Sequence, residues 1–350
     1  MNKEINWINW AKIYGMLLVY LYHTSYYLHL PDSGYNFYGP FFVNVFLFIS
    51  GYLIFRKQLS TPVIDIPKKT WTQGEGRTML SNILFRIALP TVIFSTINFF
   101  PKKILRGEEI DLWSFAHDTI LGGSLWFTCT LTVAELLIFL LLLSRWRSIW
   151  FYVAYAFCIA TAGAFIMQIC ATADISLSVP WHYTQGMVAV LYLTLGGLYW
   201  KAEQRIDHIL RGSRWAMLFI VYLVVMFLTV NFAWQDFIFE TLFSDLILNI
   251  TGVLMLIYVS KQFAASDFVN KLATLSIGLY FLSGAVPNIL AVAWTKVFGE
   301  AESAAWIVFT VCSFAVSACA VWLIKRYIPW LFDLRLLKKD GNRRNMVHSN

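Results

Sequence analysis

KIYGMLLVYLYH, residues 12–23, reads as half of a membrane-spanning helix that begins with a lysine and ends with a histidine. An α-helix turns ~100° and rises ~1.5 Å per residue, so Lys12 and His23 lie within about 20° in azimuth and roughly 16 Å apart. An ionisable side chain is costly inside a bilayer unless it faces protein or water. The spacing therefore predicts one polar stripe, on which a cation and a titratable base flank one elongated ligand.

The composition places this stretch in a polytopic membrane protein. Of the 350 residues, 59% are hydrophobic and only 13% are charged, and the mean hydropathy is +0.62, whereas a soluble domain is about a quarter charged. The net charge of +7 does not indicate nucleic-acid binding, because the basic residues sit in short loops between apolar runs instead of forming a soluble patch. Membrane lipids are the partners that this composition predicts.

Ten apolar segments are long enough, or nearly long enough, to span a bilayer. With both termini cytoplasmic, Lys102, Lys103, Arg106 and Lys296 are the basic residues left outside, so 23 of the 27 Lys and Arg lie inside. The positive-inside rule thus favours an all-α bundle of about ten transmembrane helices, N-in and C-in. We predict a single membrane domain over residues 1–330 and a basic cytoplasmic tail over 331–350. The ten segments are 8–29, 40–55, 81–100, 119–143, 149–170, 184–200, 215–233, 238–259, 271–294 and 303–327.

Five polar or amphipathic residues of these segments are candidates for chemistry. Lys12 either snorkels to the headgroups or binds an anion, and Arg86 is either an orientation signal or a phosphate ligand. His23 is either hydrogen-bonded between helices or a titrating base. Glu135 lies within an apolar run and is either a buried acid paired with another side chain or a substrate contact. Trp126 begins the fourth span and is either an interfacial anchor or a binding residue.

Searches for other chemistry are negative. The five cysteines are odd in number, contain no C-x-x-C pair and read as small buried residues, so no metal site is predicted. The sequence also has no H-x-x-x-D, G-x-S-x-G, G-x-x-x-x-G-K-[ST], H-E-x-x-H or G-x-G-x-x-G. Lipase, nucleotide-hydrolase, zinc-protease and dinucleotide-binding functions all lose support.

Together the segments resemble the acyltransferase-3 family of integral-membrane O-acyltransferases, which modify bacterial surface glycans. That family opens with a basic residue, ten residues and a histidine, a spacing that Lys12 and His23 share, although lysine replaces the more usual arginine. Ser124 and Ser283 stand where the family often has histidines, and Asn82 and Ile83 stand where it often has arginines. The other similar stretches are FFVNVFLFISGYLIFRK (41–57), FRIALP (85–90), SLWF (124–127) and SIGLYFLS (276–283).

The resemblance implies transfer of an acyl group, most often acetyl, from cytoplasmic acetyl-CoA to a hydroxyl of a surface polysaccharide or lipid-linked glycan, in the bacterial cytoplasmic membrane. In this interpretation Lys12 and Arg86 bind the phosphates of the donor, and His23 acts as general base or as a covalent acyl carrier. Trp126 and Glu135 are assigned to substrate binding. The alternatives are a transporter or flippase of a lipid-linked glycan or small solute, and a membrane sensor without catalysis.

Overall fold

The computed structural model describes residues 5–30, 34–60, 72–144, 146, 148–172, 180–231, 245–299 and 305–337. Within these ranges the chain is all-helical, with 86% helix and no strand, which confirms the all-α prediction. The main helices are α1 (Asn6–Tyr27), α2 (Asn44–Ser60), α3 (Glu75–Asn82, Ile83–Ala88 and Leu89–Arg106), α4 (Trp126–Leu142), α5 (Ile149–Thr172), α6 (Tyr183–Ile209), α7 (Trp215–Asn231), α8 (Asp245–Lys261), α9 (Asp267–Ala273), α10 (Ser276–Leu282), α11 (Ala285–Phe298) and α12 (Ala305–Tyr327).

Each of the ten apolar segments contains at least one of these helices, but fewer helices meet the requirements for a full span. Four described helices are long and apolar enough to cross a membrane, and a fifth span results if α10 and α11, bent by 45°, are taken together. α4 and α8 are apolar but shorter. The chain is therefore a membrane protein with four or five candidate spans among its described residues, and ten spans with cytoplasmic termini stay a prediction.

Helix α1 lies at the centre of the bundle. It contacts α2, α8, α9, α10, α11 and α12, and residues on several of its faces are buried, including Trp7, Ala11, Met16 and Tyr20. A helix that is apolar on all sides is stable only where neighbours surround it. Side chains on α1 are consequently placed to line an interior site.

Helices α2 and α6 approach each other through glycines. A Cβ on Gly51 would overlap the carbonyl oxygen of Leu193, and a Cβ on Gly196 would overlap the carbonyl oxygen of Phe48. Small residues let helix backbones come this close in membranes. The contact fixes α2, which forms one wall of the site described below.

The middle of α3 is a π-helix, Ile83–Ala88, that contains Arg86. Pro90 follows within the first turn of the next segment. It has no N–H to donate to the carbonyl of Arg86, and its ring crowds that carbonyl. A π-helical turn, in which hydrogen bonds reach five residues along the chain, accommodates this local sequence. The proline therefore sets the local geometry around Arg86.

The chain folds back onto α3 after α12. Phe332 is buried, with its ring 5.1 Å from that of Phe94, and the Leu334 N–H donates to the Phe85 carbonyl at 3.3 Å. Arg335 donates to Asn82 Oδ1 at 2.8 Å and to both carboxylate oxygens of Asp333. The first residues of the predicted tail thus contact the helix that carries Arg86, while residues 338–350 lie outside the described ranges.

Candidate active site

A cavity of ≈ 1990 Å³ opens at one end of the bundle. Its walls come from the first half of α1, most of α2, the first half of α3, and the second half of α12. Side chains of α4, α9 and α10 and of the segment that follows α12 complete the lining. The cavity exceeds the usual ~300–1,000 Å³ of small-molecule sites. It therefore has room for a ligand of cofactor size.

Basic side chains dominate the charge of this cavity. Among the described residues, seven basic side chains and two acidic ones, Glu135 and Asp333, line it. Five different helices carry the basic groups, so their convergence is a property of the fold and not of one local run. Such a set of cations favours a ligand with several negative charges, and arginine and lysine both bind phosphate oxygens. The seven are Lys12, Arg56, Lys57, Arg86, Lys271, Lys325 and Arg326.

Arg86 and Lys325 each contact a polar group of the protein. Arg86 is 57% exposed, and its Nε lies 3.7 Å from Asp333 Oδ2, while Lys325 donates to the Thr274 carbonyl at 2.6 Å. Hydrogen bonds from Arg335 hold the pKa of Asp333 below its usual range, so this carboxylate is charged at neutral pH. Asp333 orients the Arg86 guanidinium while leaving more than half of that side chain accessible to a ligand.

The cavity ends at an aromatic layer. The rings of Phe46 and Tyr280 lie 6.0 and 5.1 Å from that of Phe127, and the Phe127 N–H donates to Tyr280 Oη at 3.1 Å. On α1, Met16 is the last lining residue, and the next turn carries the buried Tyr20, whose hydroxyl donates to the Leu279 carbonyl at 2.9 Å. The interior end of the cavity is therefore apolar, whereas its mouth is cationic.

Glu135 is an acid in the wall of this cavity. It lies on the same face of α4 as Phe127, Thr128 and Leu131, all of which line the cavity. In the described part of the chain no hydrogen bond or ion pair to Glu135 is present. The alternative in which Glu135 is a buried acid paired with another side chain therefore has no partner for it within those ranges.

His23 lies beyond the aromatic layer and does not line the cavity. It is seven residues past Met16, or ~10 Å along the helix, and the buried Tyr20 lies between them. The His23 ring stacks on Tyr27 at 6.0 Å and meets Tyr22 edge-on at 5.4 Å. The structure brings Lys12, Arg86 and Glu135 together and leaves His23 apart from them, so a catalytic role for His23 stays a prediction.

Trp126 also lies outside the cavity lining. It is the first residue of α4 and is 42% exposed. A π-helical turn, Ala116–Ile120, precedes α4. In this turn His117 Nδ1 lies 3.1 Å from Asp118 Oδ1, and the Ile120 carbonyl accepts a hydrogen bond from the Trp181 indole at 2.9 Å. These groups form a polar and aromatic surface at the opposite end of α4 from the cationic mouth. The substrate-binding role of Trp126 stays a prediction.

A second charged cluster was not predicted from the sequence. Lys261 Nζ donates to Glu203 Oε1 at 2.8 Å and to both oxygens of Asp207, and Tyr52 Oη donates to Glu203 Oε2 at 2.6 Å. The ammonium also lies 5.6 Å from the Trp7 ring. The signal for it was the pair of acids four residues apart on one face of α6. None of these side chains lines the cavity, so the cluster ties α1, α2, α6 and α8 together without forming part of the candidate site.

Comparison with known proteins identifies the family. The acyltransferase-3 family model, described as an acyltransferase domain, matches residues 5–326, nearly the whole chain. No curated protein and no solved structure matches the chain. The match includes α1 to α12 almost completely, and with them every α-helix that lines the cavity.

Proposed function

Because the chain belongs to the acyltransferase-3 family and is a membrane acyltransferase, we propose that it moves an acetyl group from cytoplasmic acetyl-CoA to a hydroxyl of a surface polysaccharide or lipid-linked glycan. The observation that carries the proposal is the cavity with seven basic side chains at its open half and an apolar interior end. Coenzyme A has the same polarity, since its phosphates lie at one end and its thioester at the other.

The orientation of the cavity supports a cytoplasmic donor. Its mouth is formed where α1 begins and where α2 and α12 end, which is the side that the positive-inside rule assigns to the cytoplasm. Lys12 and Arg86 bind the donor's phosphates in this proposal, and Arg56, Lys271 and Lys325 add to the attraction. The protein accordingly resides in the bacterial cytoplasmic membrane.

The transfer requires three groups in contact: the thioester, the acceptor hydroxyl and a base. His23, on the acceptor side, takes the proton of the acceptor hydroxyl while the hydroxyl oxygen attacks the thioester carbonyl. The thioester C–S bond then breaks, and coenzyme A leaves as the thiolate. A two-step route through an acyl-histidine uses the same residue. Since His23 does not line the cavity, either route requires the aromatic layer to move when donor and acceptor bind.

Labelled acetyl-CoA added to inverted membrane vesicles tests this function. We expect label in the glycan fraction with the wild type and a loss of at least a hundredfold with His23→Ala, because removing a general base costs about 10²–10⁴ in rate. His29→Ala, an exposed histidine two residues past the end of α1, is the matched control and should transfer as the wild type does.

Three results would contradict the proposal. Glycan that crosses the membrane without consumption of the thioester would indicate a transporter. Wild-type vesicles that never label glycan with any acyl-CoA would reject the transfer itself. Full transfer by His23→Ala would remove only the catalytic assignment.

A further inference from the structure

The position of Glu135 in the cavity calls for a ligand group of particular chemistry. The carboxylate faces the same space as seven basic side chains, yet no ion pair or hydrogen bond to it exists within the described ranges. Placing a carboxylate in an apolar helix without a partner costs stability. Polar residues that cost stability and form neither hydrogen bonds nor ion pairs with the protein are typical of binding sites.

The level of Glu135 in the cavity follows from α2 and α4. Phe46 and Phe127 face each other at the interior end, with rings 6.0 Å apart, and both helices run from there toward the mouth. Glu135 is eight residues from Phe127, or ~12 Å, while Arg56 is ten residues from Phe46, or ~15 Å. Glu135 therefore lies just inside the cationic mouth, between it and the apolar end.

The chemistry of a carboxylate restricts what can bind at this level. The carboxyl oxygens of Glu135 accept hydrogen bonds, and in its ionised form the group only accepts them and repels phosphate groups. A ligand group that presents neutral N–H or O–H donors, next to a charged end, fits this position. In acetyl-CoA, the part adjacent to the phosphates is the pantetheine arm, which has a hydroxyl and two amide N–H groups.

We propose that Glu135 accepts hydrogen bonds from the phosphate-proximal hydroxyl or amide N–H of the pantetheine arm. The inference rests on the proposed function, since it presumes an acyl-CoA donor. It adds a donor-specificity residue that acts on the neutral arm, while the cations act on the phosphates. Glu135 then positions the arm so that the thioester reaches the aromatic layer.

Kinetics with two donors test the proposal. Purified protein in nanodiscs is assayed with acetyl-CoA and with S-acetylpantetheine, which has the arm but no phosphates, at a fixed glycan concentration. We expect Glu135→Leu to raise KM about tenfold for both donors, equivalent to about 1.4 kcal/mol for a hydrogen bond to a charged group. Glu135→Gln, whose amide oxygen still accepts a hydrogen bond, should raise KM less and keep kcat.

The control is Glu109→Leu, which removes an exposed acid outside the cavity and should match the wild type with both donors. Melting temperatures should show Glu135→Leu at least as stable as the wild type, because no hydrogen bond or ion pair within the described residues is lost. If that variant fails to fold, Glu135→Gln carries the test through a KM increase for both donors.

Each other outcome overturns the inference. An unchanged KM in Glu135→Leu, or a KM increase with acetyl-CoA alone, would remove the contact with the arm. A loss of kcat in Glu135→Gln at unchanged KM would indicate proton transfer instead. If the wild type turns over neither donor, the proposed function itself fails, which is a distinguishable result.

Discussion

Lys12 and His23 share one face of α1 but have different surroundings, since Lys12 lines the cavity and His23 does not. The spacing of Lys12 and His23 placed both on one stripe, and Lys12 does line the cavity. Tyr20, from the intervening turn, is buried, and its hydroxyl donates to the Leu279 carbonyl on α10. A contact across more than 250 residues of chain leaves no trace in local spacing.

Glu135 and Arg86 could be selected as candidates from the sequence, but their convergence on one cavity could not be predicted from it. An acid in an apolar run and an arginine beside a proline are unusual enough to single out from the sequence alone. Their convergence on one cavity depends on how α3 and α4 are placed around α1. Lys271 and Lys325 were assigned only to orientation, since nothing in their local sequence separates a ligand from an orientation charge.

Lys261 gives a prediction about stability. Its ammonium pairs with both Glu203 and Asp207, so Lys261→Met removes the cation that these two carboxylates contact. We expect a loss of about 1–3 kcal/mol in free energy of unfolding, the cost of unsatisfied polar groups, measured as a lower melting temperature in detergent. Lys201→Met, an exposed lysine on α6, is the control, and equal melting temperatures for both variants would contradict the assignment.

Among the helices, hydropathy predicted the apolar segments in which the described helices lie. It did not predict the breaks within those segments. The ninth predicted segment, 271–294, contains a bend of 45° between α10 and α11. Ser283 and Gly284 occupy the bend, and the Ser283 hydroxyl donates to the Tyr280 carbonyl. Two small residues in an apolar run change the average hydropathy of a span very little, so hydropathy does not predict the break. It matters because Tyr280, which caps the cavity, lies just before it.

Close approach of α2 and α6 gives a prediction at the same scale. Gly51→Ala would place a methyl group on the Leu193 carbonyl oxygen. It would therefore force α2, which carries Arg56, away from α6. We expect a loss of about 1–3 kcal/mol from overpacking, measured as a lower melting temperature and a smaller folded fraction by size-exclusion chromatography.

Gly284→Ala is the matched control. A Cβ at that position would meet only Tyr27 Oη, at the ordinary distance of 3.7 Å. If Gly51→Ala were as stable as Gly284→Ala, the close contact between α2 and α6 would not determine the bundle.

At the scale of the whole molecule, composition and loop charges predicted a helical membrane protein, and family membership agrees with that prediction. Several helices are shorter than a bilayer, including α4 at 17 residues. Short helices are accommodated by local thinning of the membrane or by burial among neighbours. The cavity lies beside the central helix α1, and hydropathy encodes neither that position nor the unequal helix lengths.

The central claim is that the cationic cavity binds the acyl-CoA donor, and equilibrium binding tests it most directly. Radiolabelled acetyl-CoA is titrated against purified protein in nanodiscs for the wild type, for the double variant Lys12→Met and Arg86→Gln, and for Arg211→Gln, an exposed arginine outside the cavity. Loss of two charge-assisted phosphate contacts should raise Kd at least tenfold in the double variant, with wild-type affinity in Arg211→Gln. Equal affinity in all three proteins would contradict the claim.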